Sequence, residues 1–207
     1  MEYSFHIYNK FASDGMSMAT DALLRKVSQG KKGEKGRAGT QLTVENGLQD
    51  APTPVIVCVG SDLAIGDCVG PITGSMLRYK TQGLRVFLYG TLSAPITAKE
   101  IRYMRTFLKE THKDSPVIAI DAAVGESGDI GLIKINDTPL RPGAGANKKL
   151  GSFGDISIMG VVAEKSVANY GLLNTTRLNL VYTMSEIISD AIANLLWERC
   201  GKKRMAK

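Results

Sequence analysis

PVIVCVGSDLAIGDCVGP, residues 54–71, decides the fold. It opens with an unbroken apolar run, residues 55–59, that Gly60 ends. β-branched residues dominate the run, as in a strand buried on both faces. A loop over 61–66 carries Asp62. Asp67, Gly70 and Pro71 follow, and then residues 72–79, which read as helix. Strand, glycine-bounded loop and helix make the first half of a βαβ unit. In open α/β sheets the ligand site lies outside the carboxyl ends of the strands, which is where Asp62 and Asp67 fall. PVIAI, residues 116–120, is a second buried strand, and Asp121 comes directly after it. Two such strands close together in one parallel sheet let Asp67 and Asp121 face each other across one crevice.

The chain has 207 residues, enough for one domain with a full core. Hydrophobic residues make up 43% and charged residues 22%, an ordinary globular balance. The net charge of +6 is concentrated in two runs: Lys31, Lys32, Lys35 and Arg37, and Lys202, Lys203, Arg204 and Lys207. No aromatic residues interleave with them, so they read as solvated linker and tail rather than a nucleic-acid surface. The three cysteines, Cys58, Cys68 and Cys200, have neither disulfide-framework nor zinc spacing, which suits a reducing cytoplasm. No apolar run approaches the roughly 20 residues of a membrane span. The start MEYSFHIYNKF lacks a basic stretch followed by an apolar core, so no signal peptide is expected.

Along the chain, residues 17–29 form an amphipathic helix, and 30–50 a polar, lysine- and glycine-containing linker. Residues 1–50 are therefore read as an N-terminal helical extension and linker that packs on, or hangs from, the main domain, 51–207. Within that domain a second strand is expected at 84–89. A helix at 97–111 follows, with Thr97 as N-cap and Glu100 at capping-box spacing. Next comes the strand that ends at Asp121. Alternating strand and helix argue for a parallel sheet with right-handed crossovers. Beyond Asp121 strands are expected at 130–135 and 155–162, separated by a long glycine-rich loop over 139–154. One or two helices over 175–199 close the chain, their apolar face covering the sheet.

Asp67 and Asp121 are the first candidates for chemistry. Two carboxylates close together in a partly dry crevice cannot both ionise easily, so one keeps a proton. One member can then activate water while the other protonates a leaving group. The competing reading is local: an Asp at a strand end often caps the next helix. Asp62 and Glu126 are candidate extra oxygen ligands should a divalent metal bind. No histidine lies near these loops in sequence, which disfavours a zinc or nickel site. Cys68 abuts Asp67, but a nucleophilic thiol needs a base, and His6 and His112 are distant in sequence. In the loop over 141–150, Gly143 and Gly145 let backbone N–H groups approach a ligand, and Arg141, Asn147 and Lys148 add polar and positive groups. The loop suits a carboxylate, a phosphate or a peptide backbone. Neither a Walker loop nor GxGxxG is present, so no nucleotide cofactor, and no cofactor of any other kind, is expected.

GSDLAIGDCVGP, LYGTLSAPI, IAIDAAVGESGDIGLIKI and PLRPGAGANKKLGSFGDISIMGVV together resemble the YyaC-type sporulation proteins of endospore-forming bacteria, over about residues 54–196. That family is similar to the germination protease that degrades small acid-soluble spore proteins, and more distantly to the hydrogenase maturation endopeptidases. GDCVGP resembles the block that holds one catalytic aspartate of the germination protease, and IAIDAAV the block that holds the other. The resemblance thus implies catalytic roles for Asp67 and Asp121. It also implies a shared α/β fold, a three-layer sandwich of the phosphorylase/hydrolase-like kind whose central, mostly parallel or mixed sheet is flanked by helices. INDTPLRPGAGANKK resembles the glycine-rich segment that follows in the protease. There Arg141 stands before Pro142 and Gly143 where the protease has a histidine. In the hydrogenase endopeptidases the acid at the Asp67 position recognises nickel beside another acid and a histidine, and this chain offers no candidate for that histidine.

The expectation is an endopeptidase-like hydrolase of sporulation or germination in the cytoplasm of the sporulating cell or forespore. Asp67 and Asp121 form its dyad, and Asp62, Arg141, Gly143, Gly145, Asn147 and Lys148 hold a peptide or spore-protein substrate. A homo-oligomer is compatible with this reading. The alternatives are a non-catalytic binding protein that keeps the fold, and a metal hydrolase with carboxylate ligands.

Overall fold

The computed structural model describes residues 1–35, 53–142, 151–165 and 175–200. In chain order the elements are β1 (Glu2–His6), α1 (Ala12–Lys35), β2 (Val55–Cys58), α2 (Val69–Lys80), β3 (Phe87–Tyr89), α3 (Ile101–Thr111), β4 (Val117–Gly125), β5 (Leu132–Asn136), β6 (Ile156–Glu164) and α4 (Leu178–Arg199). Among the described residues the six strands form one sheet in the order β1-β5-β6-β4-β2-β3. β3, β2, β4 and β6 run parallel, and β5 is antiparallel to both its neighbours, β6 and β1. The sheet is therefore mixed, with the parallel part where the βαβ pattern lies.

The run over 55–59 is apolar throughout because its two sides meet different cores. Ile56 and Cys58 face a core shared with Leu77 of α2, Leu23 and Leu24 of α1, and Ile188 and Ile192 of α4. Val55, Val57 and Val59 face a second core with Ile101, Met104 and Leu108 of α3 and with Leu140 and Phe153. β4 alternates in the same sense, Ile118 and Ile120 toward the first core and Val117 and Ala119 toward the second. The result is three layers: α1, α2 and α4 on one face, the sheet, and α3 with Leu140 and Phe153 on the other.

Between residues 84 and 125 three elements differ from the sequence expectation. The strand expected at 84–89 shortens to Phe87–Tyr89, because the Leu84 N–H donates to the Thr81 carbonyl in the turn that ends α2. α3 begins at Ile101 rather than 97. The Glu100 carboxylate does reach back to the Thr97 N–H at 2.9 Å, half of the capping box, but it closes a turn that precedes the helix. β4 does not end at Asp121. It continues to Gly125 because β6 pairs alongside, from Ile118↔Ile156 to Gly125↔Glu164.

The N-terminal residues enter the same framework. β1 pairs with β5 through Tyr3↔Ile135 and its neighbours, and Met16, Leu23 and Leu24 of α1 are fully buried in the first core. Asp137, just past β5, binds both the N-terminal ammonium (2.5 Å) and Lys26 of α1 (2.6 Å), which hold its carboxyl down to about 2. The lysine run over 31–37 and the tail over 202–207 both lie outside the residues whose side chains are described. No helix among the described residues is long and apolar enough to cross a membrane.

Candidate functional site

The site is built where β2 stops. β2 pairs with β4 as far as Cys58↔Ile120, and the Val59 N–H makes one more bond to the Ile120 carbonyl at 2.7 Å. Gly60 then turns the chain with φ +140, a backbone state that side chains disfavour. A Cβ there would sit 2.1 Å from the Asp67 carbonyl oxygen, so the loop can fold back over Gly60 only because it is glycine. The Ser61 N–H donates to that same carbonyl, and the Asp67 N–H to the Ala64 carbonyl, closing the loop. Asp67 ends the short 3-10 turn Ile65–Asp67 and stands directly above the end of β2.

Helix α2 holds this loop in place by unusually close contact with the sheet. A Cβ at Gly70 would lie 1.9 Å from the Val59 carbonyl, and one at Gly74 1.9 Å from the Gly90 carbonyl. The glycines at this four-residue spacing lie on one face of α2 and let the helix rest on the strand ends. The Ser185 hydroxyl of α4 donates to the Val69 carbonyl at 3.1 Å and ties the start of α2 to the third helix of the layer.

Asp121 is the first residue of β4 beyond the ladder with β2. By strand alternation it follows Val117 and Ala119 onto the α3 face, and Met159 of β6 is its neighbour in register. It is only 7% exposed. Its Oδ1 accepts the Ala122 N–H at 2.8 Å. Burial, above all, pushes its carboxyl well above the usual carboxylate range; the negative charge of Asp67 adds to this, and the Ala122 hydrogen bond opposes it. The two aspartates therefore interact electrostatically, Asp121 buried and Asp67 half-buried. The arrangement can keep one proton on the buried member beside a charged partner, the condition for general acid–base work on one water.

The remaining sequence candidates fall differently. Asp62 is exposed in the loop, where its charge and that of Asp67 act on Cys68. Burial first, then these two acids, push the Cys68 thiol up, and its Sγ donates to the Ser61 and Ala64 carbonyls at 3.4 and 3.3 Å. A thiol kept protonated is a poor nucleophile. The histidines are engaged elsewhere, His6 in the outer strand β1 and His112 with the Tyr89 hydroxyl at 2.8 Å. Glu126 lies five residues past Asp121 beyond the end of β4, about 16 Å along an extended chain, and does not join the pair. Among the described residues no three His, Cys, Asp or Glu side chains come together as a metal site.

Arg141 is exposed and follows Leu140, which bridges Phe153 through two backbone hydrogen bonds of 2.9 and 3.1 Å. Gly143, Gly145, Asn147 and Lys148 lie outside the described residues. The two buried residues that flank their loop, Leu140 and Phe153, sit on the face that Asp121 shares. Sequence reading did not single out Met159, the register partner of Asp121, because register between distant strands leaves no local signal. It also passed over Gly74, although the Gly70/Gly74 spacing was visible.

Comparison with known proteins adds the following. The model of a family described as "Protein of unknown function (DUF1256)" matches residues 39–191. An uncharacterized protein, YyaC of Bacillus subtilis (strain 168), is 38% identical over 139 residues, which cover 67% of this chain and 67% of that protein. Among solved structures, that of a NiFe hydrogenase maturation protease HycI from Thermococcus kodakarensis KOD1 is similar with a TM-score of 0.45 and 19% identity, over 70% of this chain and 92% of the other. The chain belongs to the DUF1256 family.

Proposed function

We propose that the chain is an endopeptidase of sporulation or germination whose catalytic pair is Asp67 and Asp121. The observation that carries this reading is the buried Asp121 carboxyl, raised by its burial and by the charge of Asp67 beside it. In the first step the Asp67 carboxylate takes a proton from a water held between the two acids, and the water oxygen forms a bond to the peptide carbonyl carbon. In the second, Asp121 gives its proton to the amide nitrogen as the C–N bond breaks. A free acid and a free amine leave, and passage of the proton from Asp67 back to Asp121 resets the pair. Asp62, Arg141 and the Gly143, Gly145, Asn147 and Lys148 loop hold the substrate backbone. The loop's flanking residues Leu140 and Phe153 lie on the side that Asp121 faces, which supports that assignment. The sporulation setting rests on the resemblance of the sequence blocks, and places the activity in the cytoplasm of the sporulating cell or forespore.

The test is cleavage of a spore-protein extract, read by mass spectrometry of new peptide ends. Wild type should generate ends that persist in the presence of a chelator, and Asp67→Asn and Asp121→Asn should each abolish them while remaining folded. Ends lost on chelation would replace the dyad with a metal mechanism. Folded wild type with no new ends under any condition would make this a binding protein that keeps the crevice.

A further inference from the structure

A second recess lies at the opposite end of the sheet, beneath the amino end of β4. It is a cleft of about 390 Å³ between the C-terminal half of α3 and the chain over 152–155. Its size sits at the low end of small-molecule sites. Three cations line it, Arg105, Lys109 and Lys113. None forms an ion pair with another described residue, although six such pairs occur elsewhere in the described chain. The one acid in the lining, Asp155, has its Oδ2 on the Val117 N–H at 2.8 Å, while its own N–H donates to the Val117 carbonyl. That carboxylate serves to clamp the start of β4. The floor is apolar, with Leu108 6% and Phe153 7% exposed.

The lysines alone have an ordinary explanation. They sit in and just after the last turn of α3, where the helix dipole favours positive charge. Arg105 does not share it, because it lies mid-helix. Its guanidinium is laid across Gly151: a Cβ there would come within 2.3 Å of Nη1, and Gly151 itself has φ +78. A half-buried guanidinium and two exposed ammonium groups over an apolar floor make a receptor for an oxyanion on a compact apolar body.

We infer that the cleft between α3 and residues 152–155 binds a small organic phosphate or carboxylate. The site is separate from the aspartate pair: Val117 and Asp121 are four residues apart in β4, about 13 Å along the strand. The inference therefore stands or falls independently of the peptidase reading.

The experiment titrates the full chain with phenyl phosphate, the anion of phenylacetic acid as the carboxylate form, and inorganic phosphate, at constant ionic strength. Binding is followed by calorimetry and by amide NMR shifts. Phenyl phosphate or the phenylacetic acid anion should saturate, tighter than inorganic phosphate, and shift the amides of Phe153, Gly154 and Asp155; the tighter of the two identifies the head group. Arg105→Ala should weaken binding about tenfold or more, the loss expected for one charge-assisted bidentate contact. Lys10→Ala, which alters an exposed lysine lying over the Phe11 ring, should leave it unchanged. Arg105 has no ion-pair partner among the described residues, so the unliganded melting temperature of Arg105→Ala should match wild type. Absence of saturation up to about 10 mM would overturn the inference. So would equal affinity in Arg105→Ala, or shifts confined to residues outside the cleft.

Discussion

Replacing Asp121 by Asn tests the central feature of the site in a way that does not require a substrate. The carboxyl of Asp121 titrates well above its ordinary value of 3.8, chiefly because the group is buried. A folded state that holds a proton more tightly than the unfolded chain is favoured at low pH. Its extra stability is complete below 3.8 and is lost as pH rises from there toward the folded value. Within that window one such group changes the unfolding free energy by up to about 1.4 kcal/mol per pH unit, falling as pH rises. Asn cannot ionise, and its Oδ1 can still accept the Ala122 N–H, so Asp121→Asn should lack this slope. Urea unfolding at steps from about pH 4.5 to about pH 7 measures both curves, with equal m-values confirming that the same surface is exposed. Wild type should lose stability relative to the variant as pH rises. In Asp67→Asn, which removes the second cause of the shift, the loss should level off at a lower pH. If the wild-type and Asp121→Asn curves stay parallel within about 0.5 kcal/mol throughout, the buried proton is absent and the reasoning about the pair fails.

Two further perturbations probe the scaffold of the site. Gly70→Ala places a Cβ 1.9 Å from the Val59 carbonyl, so α2 must retreat by more than an ångström to restore ordinary contact. The strain of about 1–3 kcal/mol outweighs the helix propensity of roughly 1 kcal/mol that Ala brings, so the urea midpoint should fall, and cleavage should fall with it because Asp67 moves with α2. Iodoacetamide at mildly alkaline pH should label the exposed Cys200 first. Cys58 and Cys68, both buried with thiols pushed up, should react only in urea, which intact-mass spectrometry can follow.

Much of this organisation is legible in the sequence because it is local. An apolar run of β-branched residues bounded by glycine reads as a strand with a core on each side, and Val55–Cys58 has one. The amphipathic spacing of Ile101, Met104 and Leu108 marks the buried face of α3 in the same way. What was not legible depends on distant partners. Residues 2–6 read EYSFH, a polar–apolar alternation that puts Tyr3 and Phe5 toward the first core; it is short, the sequence reading passed over it, and β5 supplies the edge that it pairs with. Residues 122–125, AAVG, carry no strand signature; they extend because β6 lies alongside. The position of Asp121 was legible as the end of an apolar run, but its burial was not, since that depends on the longer strand.

The inequality of strand lengths is what makes the site. If β4 had stopped with β2 at the level of Ile120, Asp121 would lie in an open loop, solvated and unremarkable in its acidity. Because β4 and β6 continue together while β2 ends, a notch opens above β2, and Asp121 is the first side chain on its wall. The other wall has to come from the chain that leaves β2, and that chain can return close enough only where it carries no side chains. Gly60 lets the loop cross itself, and Gly70 and Gly74 let α2 settle onto the strand ends, so Asp67 is delivered to the notch by backbone contacts rather than by side-chain packing. The same closeness that brings the second charge also dries the first. Proximity and desolvation, the two causes that raise Asp121, are thus consequences of a single geometric fact. This is also why Gly70→Ala, at a glycine that touches no substrate, should lower cleavage together with stability.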